Sequence, residues 1–366
     1  TMCDVLDHLG ARVQREGDSV RVETTHIQSL EVGEDLMRRM RASNLVLGPL
    51  LGRFRRVRIS YPGGCNIGSR PMNLHLKGLK AMGARIDESF GYITVEADKL
   101  VGAEIHLDVP SVGATENIMM AAVLAEGTTI IRNAAKEPEI VDLQNFLNRM
   151  GARIKGAGTD VIRIEGVKHL YSVEHVVIPD RIEAGTHLVA GAITGGDVTV
   201  TNVIPEHLEP VLAKLKEMGF WVETGDEHVR VVAQGRPRAV DIKTLPHPGF
   251  PTDMQPQMMA LACLAEGTSI ITETVFENRF KHVSELRRMG ADIKVEGQTA
   301  IVKGVERLTG APVMATDLRA GAALVLAALA AENGTVVEGV EHIDRGYERL
   351  EQKYTALGAK IMRVST

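Results

Sequence analysis

The sequence predicts an α/β chain built from six copies of one βαβαββ unit, arranged as two domains of three. Three observations predict it. A helix-ending pattern, apolar-x-x-(Leu or Met)-Gly-x-x-(Ile or Val), occurs at 6–13, 79–86, 147–154, 215–222, 286–293 and 354–361, and its glycines lie 68 to 73 residues apart. A strand-forming motif, Ala-Glu-Gly-Thr-(Thr or Ser)-Ile-Ile, occurs at 125–131 and 265–271, with looser copies at 195–200 and 332–337. Stretches rich in small residues, such as 114–125 and 320–331, precede these motifs at a helical spacing. Six copies at so steady a period define repeated supersecondary units.

Each element follows from local chemistry. Apolar residues three and four apart make one face of a helix, and glycine accepts the left-handed turn that ends it. Gly10, Gly83, Gly151, Gly219, Gly290 and Gly358 are those stops. Alternating strands follow, as in Ile162-Arg163-Ile164 and Val229-Arg230-Val231. Glu137-Pro138-Glu139, with Asp142, reads as the start of a helix. Sheets must bury a face, so the small-residue helices are expected to fill a centre that the sheets surround. The domains are expected at 1–178 and 179–366, with the linker near 176–180. Gly10 comes only ten residues into the chain. The first unit therefore reads as incomplete, short of roughly 50 residues by the period of the other five.

Composition narrows the function classes. Apolar residues make up 44% of the 366 residues and charged residues 24%, as in ordinary globular proteins. The net charge is −5 and no block of lysine and arginine stands out, which argues against a dedicated nucleic-acid surface. The three cysteines are dispersed, with neither disulfide nor zinc spacing. No long uncharged apolar run suggests a membrane span. P-loop, dinucleotide and His-Glu-x-x-His patterns are all missing. A ring-shaped DNA clamp is also made of αβ repeats, but it would need basic central helices, and these are rich in Ala, Gly and Met.

Three places could carry chemistry. The strand Val57-Arg58-Ile59 leads into Tyr61-Pro62-Gly63-Gly64-Cys65-Asn66-Ile67-Gly68-Ser69-Arg70-Pro71. Glycines let such a loop close over a ligand, and nearby arginine lowers a thiol pKa. The same segment could equally be a tight turn with an inert thiol. Cys3 and Cys263 lie in apolar helical stretches and read as core. The second place, Leu245-Pro246-His247-Pro248-Gly249-Phe250-Pro251-Thr252-Asp253, is too proline-rich for regular structure and forms a rigid loop. Asp253, at a helix start, could be a cap or a general base. The third is a set of arginines, Arg41, Arg70, Arg279, Arg319 and Arg345, which suit phosphate and carboxylate or else are paired surface residues.

With these residues in view, the chain resembles the UDP-N-acetylglucosamine 1-carboxyvinyltransferases, a family of enolpyruvyl transferases. Further motifs carrying the likeness are Ser111-Val112-Gly113-Ala114-Thr115, 136–142, 178–186, 250–255, Phe276-Glu277-Asn278-Arg279-Phe280 and Asp344-Arg345-Gly346-Tyr347. The resemblance implies two inside-out α/β barrel domains and transfer of the enolpyruvyl group of phosphoenolpyruvate to the sugar 3-hydroxyl. It implies Cys65 as a general acid on a lid loop, the site of a covalent phosphoenolpyruvate adduct and of alkylation by fosfomycin. Asp253 is implied as the base. Arg70 and Arg345 are implied as clamps on phosphoenolpyruvate, with Arg319 assisting. Arg41, Arg70, Pro71, Met72, Asn73, Leu74, Val109, Pro110, Ser111, Val112, Asp253 and Val275 match nucleotide-sugar contacts. A carbon–oxygen bond breaks, so neither metal nor cofactor is expected. The family's N-terminal segment supplies a Lys-Asn pair to the phosphoenolpyruvate site, and this chain starts after it. Val109 and Pro110 stand where many members have a lysine. The alternatives are the shikimate-pathway enolpyruvyl transferase, which has no lid cysteine, and a truncated binder of the nucleotide sugar without catalysis.

Overall fold

In the computed structural model, residues 1–63, 67 and 72–364 are described. The chain forms two compact units. Of the described residues, the first holds 1–63 and 72–177, the second 67 and 178–364.

The repeat is visible element by element. In the first unit, strand Glu104–His106, helix Val112–Ala122, strand Thr128–Arg132, helix Pro138–Arg149, and strands Arg153–Lys155 and Val161–Glu165 follow in order. Their sheet runs in the spatial order first, second, fourth, third. The edge strand pairs parallel with Thr128–Arg132, and every other pairing is antiparallel. The second unit repeats this around helix Gln255–Ala262, where the edge strand Ile242–Lys243 pairs parallel with Thr268–Thr272. Among the described residues the sheets are separate, with two to four strands each, and none closes into a barrel.

The helices fill the centre, as the small residues require. All eight residues of Gln255–Ala262 are buried, as are the eight from Ala320 to Ala327 within helix Leu318–Ala330. In the first unit, helices Leu47–Phe54 and Val112–Ala122 pack together, and a Cβ on Gly48 would lie 2.3 Å from the carbonyl oxygen of Asn117. Only glycine permits that approach. The sheets present one face inward: strand Val161–Glu165 buries Ile162 and Ile164 and exposes Arg163 and Glu165.

All six capping glycines have positive φ, between 90° and 101°. In each copy the amide after the glycine donates to the carbonyl five residues back, as Ala84 does to Leu79 and Ala291 to Leu286. That is the Schellman closure that a left-handed residue allows. Glu137 occupies the N-cap position of the Pro138 helix, without a side-chain cap bond. Asp142 is not at its start: it lies one turn in and pairs with His175 Nε2 at 2.9 Å. No helix among the described residues is long and apolar enough to cross a membrane.

Candidate active site

Of the polar residues singled out by the sequence, Asp253, Arg279 and Arg319 meet in the second unit, while Arg41 and Ser111 open helices of the first. In the second unit the group is built around Asp253. The loop before it leaves the sheet at Thr244, turns through a cis His247–Pro248 bond and returns at Phe250, where Leu245 N–H donates to the Phe250 carbonyl at 3.0 Å. Thr252–Met254 then makes a single 3-10 turn whose cap, Pro251, has no side-chain bond to give. Asp253 is therefore not a helix cap. Its carboxylate accepts from Arg279 Nη2 at 3.0 Å through Oδ1 and from Arg319 Nε at 3.3 Å through Oδ2, with Arg319 Nη2 3.2 Å from the same oxygen.

This pairing sets the charge of the site. Burial pushes the Asp253 carboxyl up, but the guanidiniums of Arg279 and Arg319 more than offset it and hold it well below the usual carboxylate range. The side chain is still 38% accessible, whereas that of Arg279 is 3%. Burial alone would lower the Arg319 pKa, and the carboxylate beside it holds it above its ordinary value. Arg319 is oriented from two sides. Asp317 caps the Leu318 helix by accepting the Arg319 and Ala320 amides, each at 3.0 Å. The Arg319 guanidinium also donates to Tyr347 Oη at 3.0 Å. Tyr347 is buried and in turn meets Thr186 Oγ1 at 3.0 Å. Thr186 already donates to the Ile182 carbonyl, so the tyrosine hydroxyl donates to Thr186 and accepts from Arg319. Arg345 is exposed and makes no hydrogen bond or ion pair with a described residue. Val275 is 36% exposed on the loop that leads to Arg279.

In the first unit, Arg41 opens the short 3-10 helix Arg41–Val46, and its Nη2 lies 3.9 Å from Met72 Sδ. Met72 and Leu74 turn their side chains into the core, so any ligand contact they make runs through the backbone. Asn73 is exposed at the first position of helix Asn73–Ala81. Ser111 caps helix Val112–Ala122 by accepting from Ala114 N–H at 3.3 Å, and Val109 and Pro110 stand exposed before it. Such a helix start favours anions. Beneath these segments lies a buried polar knot. Asn117 Oδ1 accepts the Gly48 amide at 2.7 Å, which fixes its amide orientation. Its Nδ2 donates to the Asn44 carbonyl at 3.2 Å and to His75 Nδ1 at 3.0 Å. His75 is therefore neutral, with Nδ1 as acceptor, and burial followed by the nearby Arg41 charge lowers its pKa to about 4.

Cys65, Arg70 and Pro71 lie outside the described residues. Cys263 is buried and its thiol is pushed up to about 12 by burial, while Cys3 is partly exposed on a short helix. Among the described residues, no group of three His, Cys, Asp or Glu side chains could hold a metal ion. Sequence reading gave no role beside Asp253 to Arg279, its ion-pair partner, to Tyr347, or to Glu273, whose carboxylate accepts from Thr252 Oγ1 at 2.9 Å. Arg279 is legible in the sequence as a loop arginine and as part of a family motif, without a partner. Tyr347 stands in a quoted family motif that does not show its contacts with Arg319 and Thr186, and Glu273 meets Thr244 and Thr252 from 29 and 21 residues away.

Comparison with known proteins places this arrangement. The profile of the EPSP synthase (3-phosphoshikimate 1-carboxyvinyltransferase) family matches residues 1–354. The enolpyruvyl transferase NikO from Streptomyces tendae superposes with a TM-score of 0.87 at 27% identity, covering 98% of this chain and 86% of that one. EPSP synthase from Acinetobacter baumannii shares the fold, with a TM-score of 0.72 at 20% identity over 97% of this chain and 86% of that one. The chain belongs to the EPSP synthase family of enolpyruvyl transferases, and within it to the UDP-N-acetylglucosamine 1-carboxyvinyltransferases. Among relatives bearing that name, one from Carboxydothermus hydrogenoformans is 61% identical over 100% of this chain and 86% of its own length. Others are from Symbiobacterium thermophilum, 62% identical over 99% and 84%, and Geobacter metallireducens, 58% identical over 100% and 87%.

Proposed function

We propose that the chain transfers the enolpyruvyl group of phosphoenolpyruvate to the 3-hydroxyl of UDP-N-acetylglucosamine and releases phosphate. This is the step that commits the sugar to peptidoglycan precursors, and we place it in the cytoplasm. The observation that carries the reading is identity of 61% across the whole chain with a relative named for that reaction.

The residues supply the chemistry in named roles. Cys65 gives a proton to the methylene carbon of phosphoenolpyruvate while the sugar oxygen bonds to the adjacent carbon. Asp253 takes the hydroxyl proton. Elimination then returns a proton from the new methyl group to the Cys65 thiolate and breaks the carbon–oxygen bond, releasing phosphate. Arg70, Arg319 and Arg345 hold the phosphate and carboxylate, and Arg345 has no partner among the described residues to surrender first. Arg41, Arg70, Pro71, Met72, Asn73, Leu74, Val109, Pro110, Ser111, Val112, Asp253 and Val275 hold the nucleotide sugar. The domains of this working enzyme are 1–178 and 179–366.

The Asp253 ion pairs bear on the order of events. A carboxylate held well below its usual range by two guanidiniums is a weak base. An arriving phosphate and carboxylate draw on Arg319 and add negative charge nearby. Both effects raise the affinity of Asp253 for a proton. The base thus strengthens when phosphoenolpyruvate is present, which discourages idle deprotonation of the sugar.

The test follows inorganic phosphate with both substrates, each alone, and after fosfomycin treatment. Phosphate that requires both substrates and stops after fosfomycin upholds the proposal. Phosphate released with shikimate 3-phosphate in place of the nucleotide sugar would overturn it. Binding of the nucleotide sugar without turnover would point instead to the non-catalytic reading.

A further inference from the structure

We propose that Glu273 is a positioning residue that holds Asp253 in register for proton acceptance, by clamping both loops of its site. The inference rests on the transferase reading above and deepens it.

Glu273 directly follows strand Thr268–Thr272, and its own amide donates to the Gln298 carbonyl at 2.8 Å, so its backbone belongs to the sheet. The residue is 1% exposed. Its two carboxylate oxygens face four donors. Oε1 accepts from Thr244 Oγ1 at 2.7 Å, from the Val275 amide at 3.0 Å and from the Phe276 amide at 3.3 Å. Oε2 accepts from Thr252 Oγ1 at 2.9 Å. Thr244 also accepts the Thr274 amide at 2.9 Å, so its hydroxyl proton is free to point at the carboxylate. Among the described residues no cation pairs with Glu273.

These four donors sit at the places that matter. Thr244 and Thr252 are the two feet of the proline-rich loop, and Thr252 is bonded to Asp253. Val275 and Phe276 begin the loop that carries Arg279, the buried partner of Asp253. A single carboxylate thus ties the base and its counter-charge to one point of the sheet. Burying a carboxylate is costly, and only an acceptor with no proton of its own satisfies four converging donors. Charge-assisted bonds are also shorter and stiffer than neutral ones. Geometry of this kind is what proton transfer demands, since a misplacement of about 1 Å costs up to about 100-fold in rate.

The experiment compares Thr252→Val, Thr252→Ser and Glu273→Gln with the parent chain, measuring kcat, KM and nucleotide-sugar affinity. Thr252→Val keeps the shape and removes the tie, and we expect kcat to fall about tenfold with affinity retained. Thr252→Ser keeps the hydroxyl and recovers most of that loss. Glu273→Gln still accepts on one side and can donate to Thr252, so it falls between them. Parent-like kcat in Thr252→Val, or a loss that Thr252→Ser does not recover, overturns the proposal. Should Thr252→Val not fold, Glu273→Gln carries the comparison: reduced kcat at parental affinity upholds it, parental kcat overturns it. A parent chain that turns over no substrate would count against the transferase reading alone. The clamp is then read by hydrogen exchange of 244–254 and 273–280 in the parent and Glu273→Ala. Loss of protection in both segments together upholds it, and unchanged exchange overturns it.

Discussion

Acidification costs this protein stability at His75, in the first unit, at pH values where ordinary carboxylates are still ionised. The imidazole is 4% exposed and accepts from Asn117 at Nδ1, so a proton there would break the bond and strand a charge in the core. Its pKa is lowered from 6.5 to about 4, first by burial and then by Arg41. The unfolded chain takes up that proton near pH 6.5, and the folded chain does not until about pH 4. The stability contributed is therefore fully present above pH 6.5 and is lost as pH falls through the window to about 4. At about 1.4 kcal/mol per pKa unit the loss is about 3 kcal/mol, a large share of a typical folding free energy. His282 is buried in the second unit and its pKa is lowered to about 4 by burial and by Arg279 against the opposing pull of Asp317, so it adds a similar loss.

The perturbation is His75→Asn, whose side-chain oxygen can stand where Nδ1 stands and does not titrate. Denaturant unfolding followed by circular dichroism at several values between pH 7 and pH 4 gives the slope. The variant will be less stable at pH 7 because it leaves a void, yet it should lose about 3 kcal/mol less than the parent on acidification. Contributions from carboxylates cancel in the difference. Parallel stability curves for parent and variant across that window would refute the reasoning.

Other predictions follow from the same geometry. Gly48→Ala forces a Cβ against the Asn117 carbonyl and should destabilise by about 1–3 kcal/mol or more, read as a lowered denaturation midpoint with an unchanged m-value. Glu183 is held down to about 2, first by its bond to His187 and then by Lys353, against the opposing effect of burial. That stability is present above pH 4.5 and lost towards pH 2, so Lys353→Met should flatten the acid limb there. Cys65→Ala should abolish phosphate release and leave nucleotide-sugar binding nearly intact, and binding lost in parallel would contradict the acid assignment. Asp253→Asn keeps the shape but leaves Arg279 with a neutral partner. Turnover should fall by about 100-fold or more, and a parental rate would remove Asp253 from the proton path.

How far the sequence reaches depends on the range of the interaction. The six helix ends were legible because each is a local event: an apolar face, a glycine that accepts positive φ, and a bond from the next residue back to the last turn. The buried helices were legible because only small side chains let helices approach as Gly48 approaches Asn117. Family motifs marked Asp253 and Arg319 without showing that they meet, and marked Arg345, which makes no ion pair with a described residue. Whether Asp253 capped a helix or faced other chemistry could not be read locally, since both roles put aspartate at a helix start. The tertiary structure decided it by bringing Arg279 and Arg319 to the carboxylate from 26 and 66 residues away. Glu273, Tyr347 and His75 belong to the same class: buried polar groups whose partners arrive from other elements. Periodicity reports which face of an element is buried. It carries no record of what is buried against it, and at a polar site that partner sets the charge and the geometry.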